Sequence, residues 1–518
     1  MSKTVKATVL LMIVTILSKI LGLVRDSVLA SAYGTGKYAA IYTTANNIPI
    51  VLFAVIGSAL ATCIIPLYSK LLNEDSRERA TSFLNSVINI TVIICLGLSI
   101  IGIIFAKEIV LIFAPGYTGD VYKLCVQYTR ILLPSIIFVG LANIYTAYLQ
   151  INKRFVVPGF IGMPYSIIII ASIFISLKTS PLVLIIGTFF AIASKAIFQI
   201  PFVYKLGHRH SLKIDLKDPV MKDMIILIIP VVIGVGANQI NSVVDKSLAS
   251  LLGTNVVASF SYAMRLYEFV QALFIASILS VIYPKLSKLA VSDKYNDFVD
   301  SMRLTMNVII VSLVPVIAGC MALSRPIVEV LFQRNAFTYK DTVMTANILV
   351  VYVIGILAFA LRDVMSRGFY SLEDSKTPMI NSIIAIVCNI ILNLILIKPL
   401  GYKGLAVSTA VSAYIGLILF NRSMKKKVEI YSPKNNIIVF IKCLLSSVVM
   451  GIVVVYSYEY IHSLFVGNLI MKVLTLGISV LIGVITYCVM MYFMKVDEYK
   501  LLLNYIKGFV YKKLGKNR

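Results

Sequence analysis

Long apolar runs separated by short polar breaks set the pattern of the chain. Ile161–Leu177, Met379–Ile397 and Leu469–Met494 are the plainest of them. Coiled as helix, a run of that length crosses the roughly 30 Å hydrocarbon layer of a bilayer, where every backbone polar group must be satisfied internally. The pattern predicts fourteen spans, at 5–32, 39–66, 82–106, 122–151, 156–177, 181–204, 222–250, 257–284, 300–322, 342–369, 377–398, 402–422, 436–458 and 469–494. The expected fold class is therefore an all-α integral membrane protein.

The chain also repeats itself. VRDSVLASAYGT at 24–35 matches VVDKSLASLLGT at 243–254, and IIPLYSKL at 64–71 matches IYPKLSKL at 282–289. EIVLIFAPGYT at 108–118 resembles PIVEVLFQRNAFT at 326–338, and Pro158 takes the place of Pro378. An offset near 219 residues carries six spans. Because six is even, both copies insert the same way round, which predicts two six-helix lobes related by a pseudo-twofold axis along the membrane normal. The expected organisation is an N-terminal lobe at 1–220, a C-terminal lobe at 221–430, and a segment at 431–518 with spans 13 and 14 and a basic tail.

Composition agrees with a membrane chain, since 59% of residues are hydrophobic and only 14% are charged. The net charge of +25 raises the question of a nucleic-acid partner. Its placement answers by topology: the even-numbered breaks and both tails hold roughly 30 Lys and Arg against about 10 in the other breaks, which puts both termini in the cytoplasm. No soluble basic domain is left to bind nucleic acid. No cleavable signal peptide is expected, because the first apolar stretch runs on past residue 24 as a span. The seven cysteines form no CxxC pair and read as packing residues. Three histidines, at 208, 210 and 462, fall in predicted loops, so neither a metal site nor an enzyme is expected.

Charges inside the spans cost about 2.5–3.5 kcal/mol each at mid-bilayer, so they mark function or pairing. They are Lys19, Arg25, Asp26, Arg130, Lys195, Asp245, Lys246, Arg265, Glu268, Arg362 and Asp363. Arg25–Asp26 and Arg362–Asp363 are sequence neighbours about 100° apart on a helix, which argues against mutual neutralisation and leaves surplus positive charge. Lys19, Arg25, Arg265 and Arg362 are candidates for a cavity that grips phosphate, with Asp26 beside them and Glu268 placed to orient Arg265. Lys195 and Lys246 are read as snorkelling side chains. Asp245, the acid that repeats Asp26, is a candidate for Na⁺ or proton coupling with Asn389, Asn393 and Thr409 as oxygen ligands; a structural pairing of Asp245 with Lys246 is the alternative.

SKILGLVRD (18–26), SLASLLGT (247–254), YAMRLYEF (262–269), LFQRNAFTYKDTVMTA (331–346) and RGFYSLEDSKTP (367–378) resemble the MurJ/MviN lipid II flippases of the multidrug/oligosaccharidyl-lipid/polysaccharide exporter superfamily. The resemblance covers residues 1–430 and, more loosely, the last two spans. It implies fourteen helices, two lobes around a cationic cavity, a hydrophobic groove on the last two helices, and a monomeric transporter in the bacterial plasma membrane. The implied substrate is an undecaprenyl-diphosphate-linked peptidoglycan precursor moved outward by membrane potential, with cell-wall synthesis proteins as further partners.

On that resemblance Arg25 and Arg265 match essential cavity arginines, Lys19 replaces an arginine, and Asp245, Asn389, Asn393 and Thr409 match a Na⁺ site in part of the family. The chain departs from the pattern in its second span, where ANNIPIVLFAVIGSALA (45–61) carries none of the usual charges. That departure keeps another polyprenyl-linked saccharide open as substrate. A multidrug cation antiporter is a third reading, which the excess of cations disfavours. A non-transporting scaffold for envelope assembly is a fourth, in which charge reversal at Arg25 and Arg265 is harmless.

Overall fold

The computed structural model describes residues 3–74, 77–291, 295–464 and 467–496. Lys294 and most of the expected basic tail, at 497–518, lie outside them. Two compact units divide the chain, Met1–Ser261 with Arg334–Thr338, and Tyr262–Gln333 with Tyr339–Arg518.

The first unit contains α1 (Lys3–Tyr33), α2 (Lys37–Glu74), α3 (Arg77–Ile104), α4 (Ala106–Phe113), α5 (Gly119–Leu132), α6 (Ile136–Ile151), α7 (Val156–Phe160), α8 (Gly162–Lys178), α9 (Pro181–Ile197), α10 (Ile200–Lys205), α11 (Pro219–Leu251) and the start of α12 (Thr254–Val291). Here α2 packs against α5, α6 and α11, and α8 against α1 and α9. The second unit holds the rest of α12, then α13 (Tyr295–Ala322), α14 (Ser324–Phe332), α15 (Tyr339–Ser371), α16 (Lys376–Leu400), α17 (Tyr402–Lys427), α18 (Lys434–Leu464) and α19 (Leu469–Phe493). In it α17 packs on α15 and α16, while α18 covers α13 and α19. No strand occurs among the described residues.

Among the described residues, ten helical stretches are long and apolar enough to cross a membrane. The other four expected spans fall in α1, α2, α11 and α12, helices of 31, 38, 33 and 38 residues. The count of fourteen is thus met at ten positions among the described residues.

The repeat reaches into local geometry. α2 and α12 are each 38 residues long, α3 and α13 each 28, and α4 and α14 are short helices of 8 and 9 residues. The turns after α6 and α15 match as well. Lys153 and Glu373 take the left-handed region with φ of 59° and 58°. In both turns the next amide reaches back five residues, Arg154 N to Leu149 O at 2.8 Å and Asp374 N to Phe369 O at 2.9 Å. This is the six-to-one bond that closes a helix whose following residue is left-handed.

Helix starts follow from capping chemistry. Pro181 and Pro219 open α9 and α11, where a missing N–H costs nothing, and Ser180 and Asp218 accept from the amides of Leu182 and Val220. Before α16, the Asp374 carboxylate accepts from both the amide (3.0 Å) and the hydroxyl (2.9 Å) of Thr377, with Lys427 Nζ 3.5 Å away. The LEDSKTP motif is therefore a turn that starts a helix. Asp374→Ala is expected to lower stability by about 1 kcal/mol in thermal melts, as loss of a helix cap does.

The segment between the repeats lies along α3. Asn89 Nδ2 donates to the carbonyls of Ser211 and Lys213, Asn85 Nδ2 to the Ser211 hydroxyl, and Ser86 Oγ accepts from the Asp215 amide. His208 is buried beside Tyr148, with ring centroids 5.6 Å apart. Neither of its ring nitrogens has a hydrogen-bond partner among the described residues.

Two acid-sensitive windows result. Burial, with His210 nearby, pushes the His208 pKa down to about 4 from the ordinary 6.5. The unfolded chain then binds more protons, so this contribution is full above about pH 6.5 and declines as pH falls towards 4. Burial pushes the Asp374 carboxyl up, but the Thr377 bonds and Lys427 outweigh it and hold the pKa below the usual value. Its contribution is present above about pH 4 and is lost as pH falls through that lower value. Hydrogen exchange should show residues 206–218 loosening between pH 6.5 and 4, ahead of the turn at 372–377; the reverse order would contradict this assignment.

A cationic site on aromatic rings

The site in the first unit grows from α1. Arg25 does not point away from its neighbour: Nε and Nη2 both donate to Asp26 Oδ1, at 2.9 and 2.8 Å. This corrects the expectation that adjacent residues leave each other uncompensated. An arginine side chain is long enough to fold back across the 100° step, and in a buried setting its fork gains most by meeting a carboxylate. Both side chains are mostly buried, at 13% and 12% exposure. The guanidinium carbon also lies 5.2 Å from the centroid of the Tyr165 ring on α8.

Lys195 of α9 is placed over the same ring, its Nζ 3.9 Å from the centroid. The ring face thus offers the Lys195 ammonium a partner within its own unit, beside the snorkelling expected from the sequence. Tyr165 was absent from the sequence reading. Residues 25, 165 and 195 are too far apart in the chain for any periodicity to link them. Lys19, six residues before Arg25, is exposed on α1. In the 45–61 stretch of α2, which carries no charged residue, Asn46 is buried, and its Oδ1 and Asn47 Nδ2 have no hydrogen-bond partner among the described residues.

The second unit carries its own cations. Arg265 Nη1 donates to Glu268 Oε2 at 3.0 Å one turn on, and both side chains stand about half exposed, at 46% and 48%. Buried Tyr267 lies edge-on to Tyr352 and Phe359. Arg362 stacks on Phe359, its guanidinium carbon 4.9 Å from the ring centroid. Asn389, Asn393 and Thr409 come together between α16 and α17: Asn393 Nδ2 donates to Asn389 Oδ1 at 3.1 Å and Asn389 Nδ2 to Thr409 Oγ1 at 3.4 Å. Asp245 belongs to the first unit. No cluster of His, Cys, Asp and Glu suited to a metal ion occurs among the described residues.

A second feature of the first unit is a pair of loop contacts related by the repeat. After α4, the Gly116 amide donates to Ser250 Oγ at 3.0 Å, and Ser247 Oγ donates to the Ile112 carbonyl. After α14, the Ala336 amide donates to the Ser31 carbonyl at 3.1 Å, Asn335 Nδ2 to Ser31 Oγ at 2.9 Å and Arg334 Nη1 to Ser27 Oγ at 2.8 Å. The ends of α1 and α11 are thus each latched by the loop that follows the short helix of the other repeat. A pocket of roughly 310 Å³ beside the latch at the end of α1 is lined by Ser27, Ser31, Phe174, Leu177, Arg334 and Asn335.

The helical architecture is that of the exporter fold. The solved structure of an inward-facing multidrug resistance MATE family transporter of the MOP superfamily shares this fold, with a TM-score of 0.68 over 79% of this chain and 94% of that one at 13% identity. The family profile described as lipid II flippase MurJ matches residues 29–475, and the chain belongs to that family. A structure described as lipid II flippase MurJ in an inward closed conformation superposes with a TM-score of 0.78, covering 98% of this chain and 100% of that one at 27% identity. Proteins named probable lipid II flippase MurJ from Rickettsia prowazekii and Vibrio cholerae are 26% and 28% identical. The matches cover 95% and 94% of this chain, and 98% and 95% of theirs.

Proposed function

We propose that this chain flips an undecaprenyl-diphosphate-linked peptidoglycan precursor from the cytoplasmic to the outer leaflet of the bacterial plasma membrane, as a transporter rather than an enzyme. The observation that carries the reading is the Arg25–Asp26–Tyr165 arrangement in a chain of the lipid II flippase family. Asp26 fixes the guanidinium orientation while other N–H donors can still meet phosphate oxygens. Arg265, held by Glu268, and Arg362 supply the corresponding charge on the second repeat, and Lys19 extends it along α1.

The moving bodies are the repeats at 1–220 and 221–430, and 431–518 keeps the polyprenyl tail in lipid along α18 and α19. With both termini cytoplasmic, the latches at the ends of α1 and α11 lie on the outer side and close the path there. Alternating access then requires them to open when the headgroup leaves. An inside-negative potential favours outward movement of anionic substrate, by about 2.3 kcal/mol per charge per 100 mV. Na⁺ is a proposed coupling ion: the amide and hydroxyl oxygens of Asn389, Asn393 and Thr409 are hard donors suited to it, with Asp245 as the carboxylate. The chain acts as a monomer and meets cell-wall synthesis proteins in the membrane.

Another saccharide lipid is the second reading, favoured by the uncharged 45–61 segment. Expression in cells depleted of their lipid II flippase separates the two. The proposal expects growth to be restored. Correct membrane expression without rescue would move the substrate to another saccharide lipid.

A further inference from the structure

The two latches are made differently. The loop after α4 reaches α11 with an uncharged run, Ala114 to Tyr117, and closes on Ser250 through the Gly116 amide. In the loop after α14, the backbone bond from Ala336 N to Ser31 O at 3.1 Å does the equivalent work. Arg334 and Asn335 are therefore additions to a latch that the other repeat forms without charge. Both line the pocket of roughly 310 Å³ at the end of α1, whose residues all belong to the first unit. One wall of it is polar. Arg334 brings a permanent positive charge, Ser31 Oγ accepts from Asn335 and has its own proton to donate, and the Asn335 amide has a second N–H. No carboxylate is among the described lining residues. The opposite wall is apolar, with Phe174 and Leu177 standing 56% and 55% exposed on α8, so it continues onto span surface of the kind that acyl chains cover. Tyr33 Oη and Ser176 Oγ, 2.7 Å apart, tie α1 to α8. Both helices end here, at Tyr33 and Lys178, and the ends of spans lie at the depth of lipid headgroups.

The geometry points to a site for one anionic phospholipid, its phosphodiester against Arg334, Ser31 and Asn335 and an acyl chain along Phe174 and Leu177. A guanidinium is the side chain best matched to phosphate oxygens, and basic pockets between membrane helices hold lipid headgroups. Size selects the lipid: 310 Å³ is the lower end of small-ligand pockets, roughly 300–1,000 Å³, enough for a glycerol phosphodiester and too little for a saccharide-peptide headgroup. Seated there, the phosphate bridges the loop and α1 and reinforces the latch. The site is independent of the reading of Arg25 as a ligand of the transported diphosphate.

The test uses the full chain in nanodiscs of equal parts phosphatidylglycerol and phosphatidylcholine, with retained lipid counted by native mass spectrometry. Wild type is expected to retain phosphatidylglycerol about tenfold over phosphatidylcholine, one charge-assisted contact's worth. Arg334→Gln should lose that preference, and so should Leu177→Trp, which fills the pocket from its exposed wall and leaves the charge in place. Lys107→Gln removes an exposed cation elsewhere in the first unit and should leave the preference intact. Equal losses in Arg334→Gln and Lys107→Gln would assign the preference to the basic surface at large and overturn the site. Retention by Leu177→Trp would place the lipid outside the pocket and overturn it as well. Added undecaprenyl diphosphate should leave the bound phosphatidylglycerol in place; displacement in wild type that is absent in Arg334→Gln would make the pocket a substrate subsite instead.

Discussion

Arg25→Ala is expected to abolish rescue of flippase-depleted cells while the protein still reaches the membrane. Two effects combine. The variant removes the guanidinium proposed to meet phosphate, and it takes from the largely buried Asp26 the two bonds of 2.9 and 2.8 Å that its carboxylate accepts from Arg25. Breaking a buried pair from one side costs about 3–5 kcal/mol, most of it the penalty of the charge left behind. The double variant Arg25→Ala with Asp26→Asn separates these effects. It should recover much of the lost melting temperature, because the buried charge that Arg25 offset is gone, yet give no rescue. Rescue by the double variant would mean that Arg25 serves stability alone.

The second large effect is expected at the latches. Gly116 has no room for a side chain, since a Cβ there would run into the Ser250 carbonyl, and at Gly34, already at φ +55°, it would run into the Ala336 carbonyl. Gly116→Val must push the loop away from α11, and overpacking of this kind costs about 1–3 kcal/mol. Amide exchange should rise at 112–118 and 247–253, with little change at 206–218, and transport should fall because closure on that side is weakened. Unchanged exchange at 112–118 would show that the contact with Ser250 does not hold the loop.

The helical architecture was legible because bilayer thickness imposes a minimum apolar length, and the repeat because VRDSVLASAYGT and VVDKSLASLLGT kept their small residues for the same latch geometry. Asn389, Asn393 and Thr409 were named together as oxygen ligands, and they lie within hydrogen-bonding reach of one another. The side-chain electrostatics were less so. Angular separation on a helix does not measure what a long, flexible guanidinium can reach, so the Arg25–Asp26 bond was missed. The contact of Lys195 with Tyr165 was not legible because position along a span gives depth, not the aromatic face that another helix presents. The left-handed turns at Lys153 and Glu373 had no sequence signal, since neither is Gly or Asn.

Transport itself provides the most direct test. Purified protein reconstituted into liposomes should move fluorescent lipid II between leaflets, faster when the receiving side is electrically positive. The Arg25→Ala protein, at equal reconstitution, should fall to the rate of empty liposomes. Equal flipping by wild type and Arg25→Ala would contradict a cation-held diphosphate as the basis of transport.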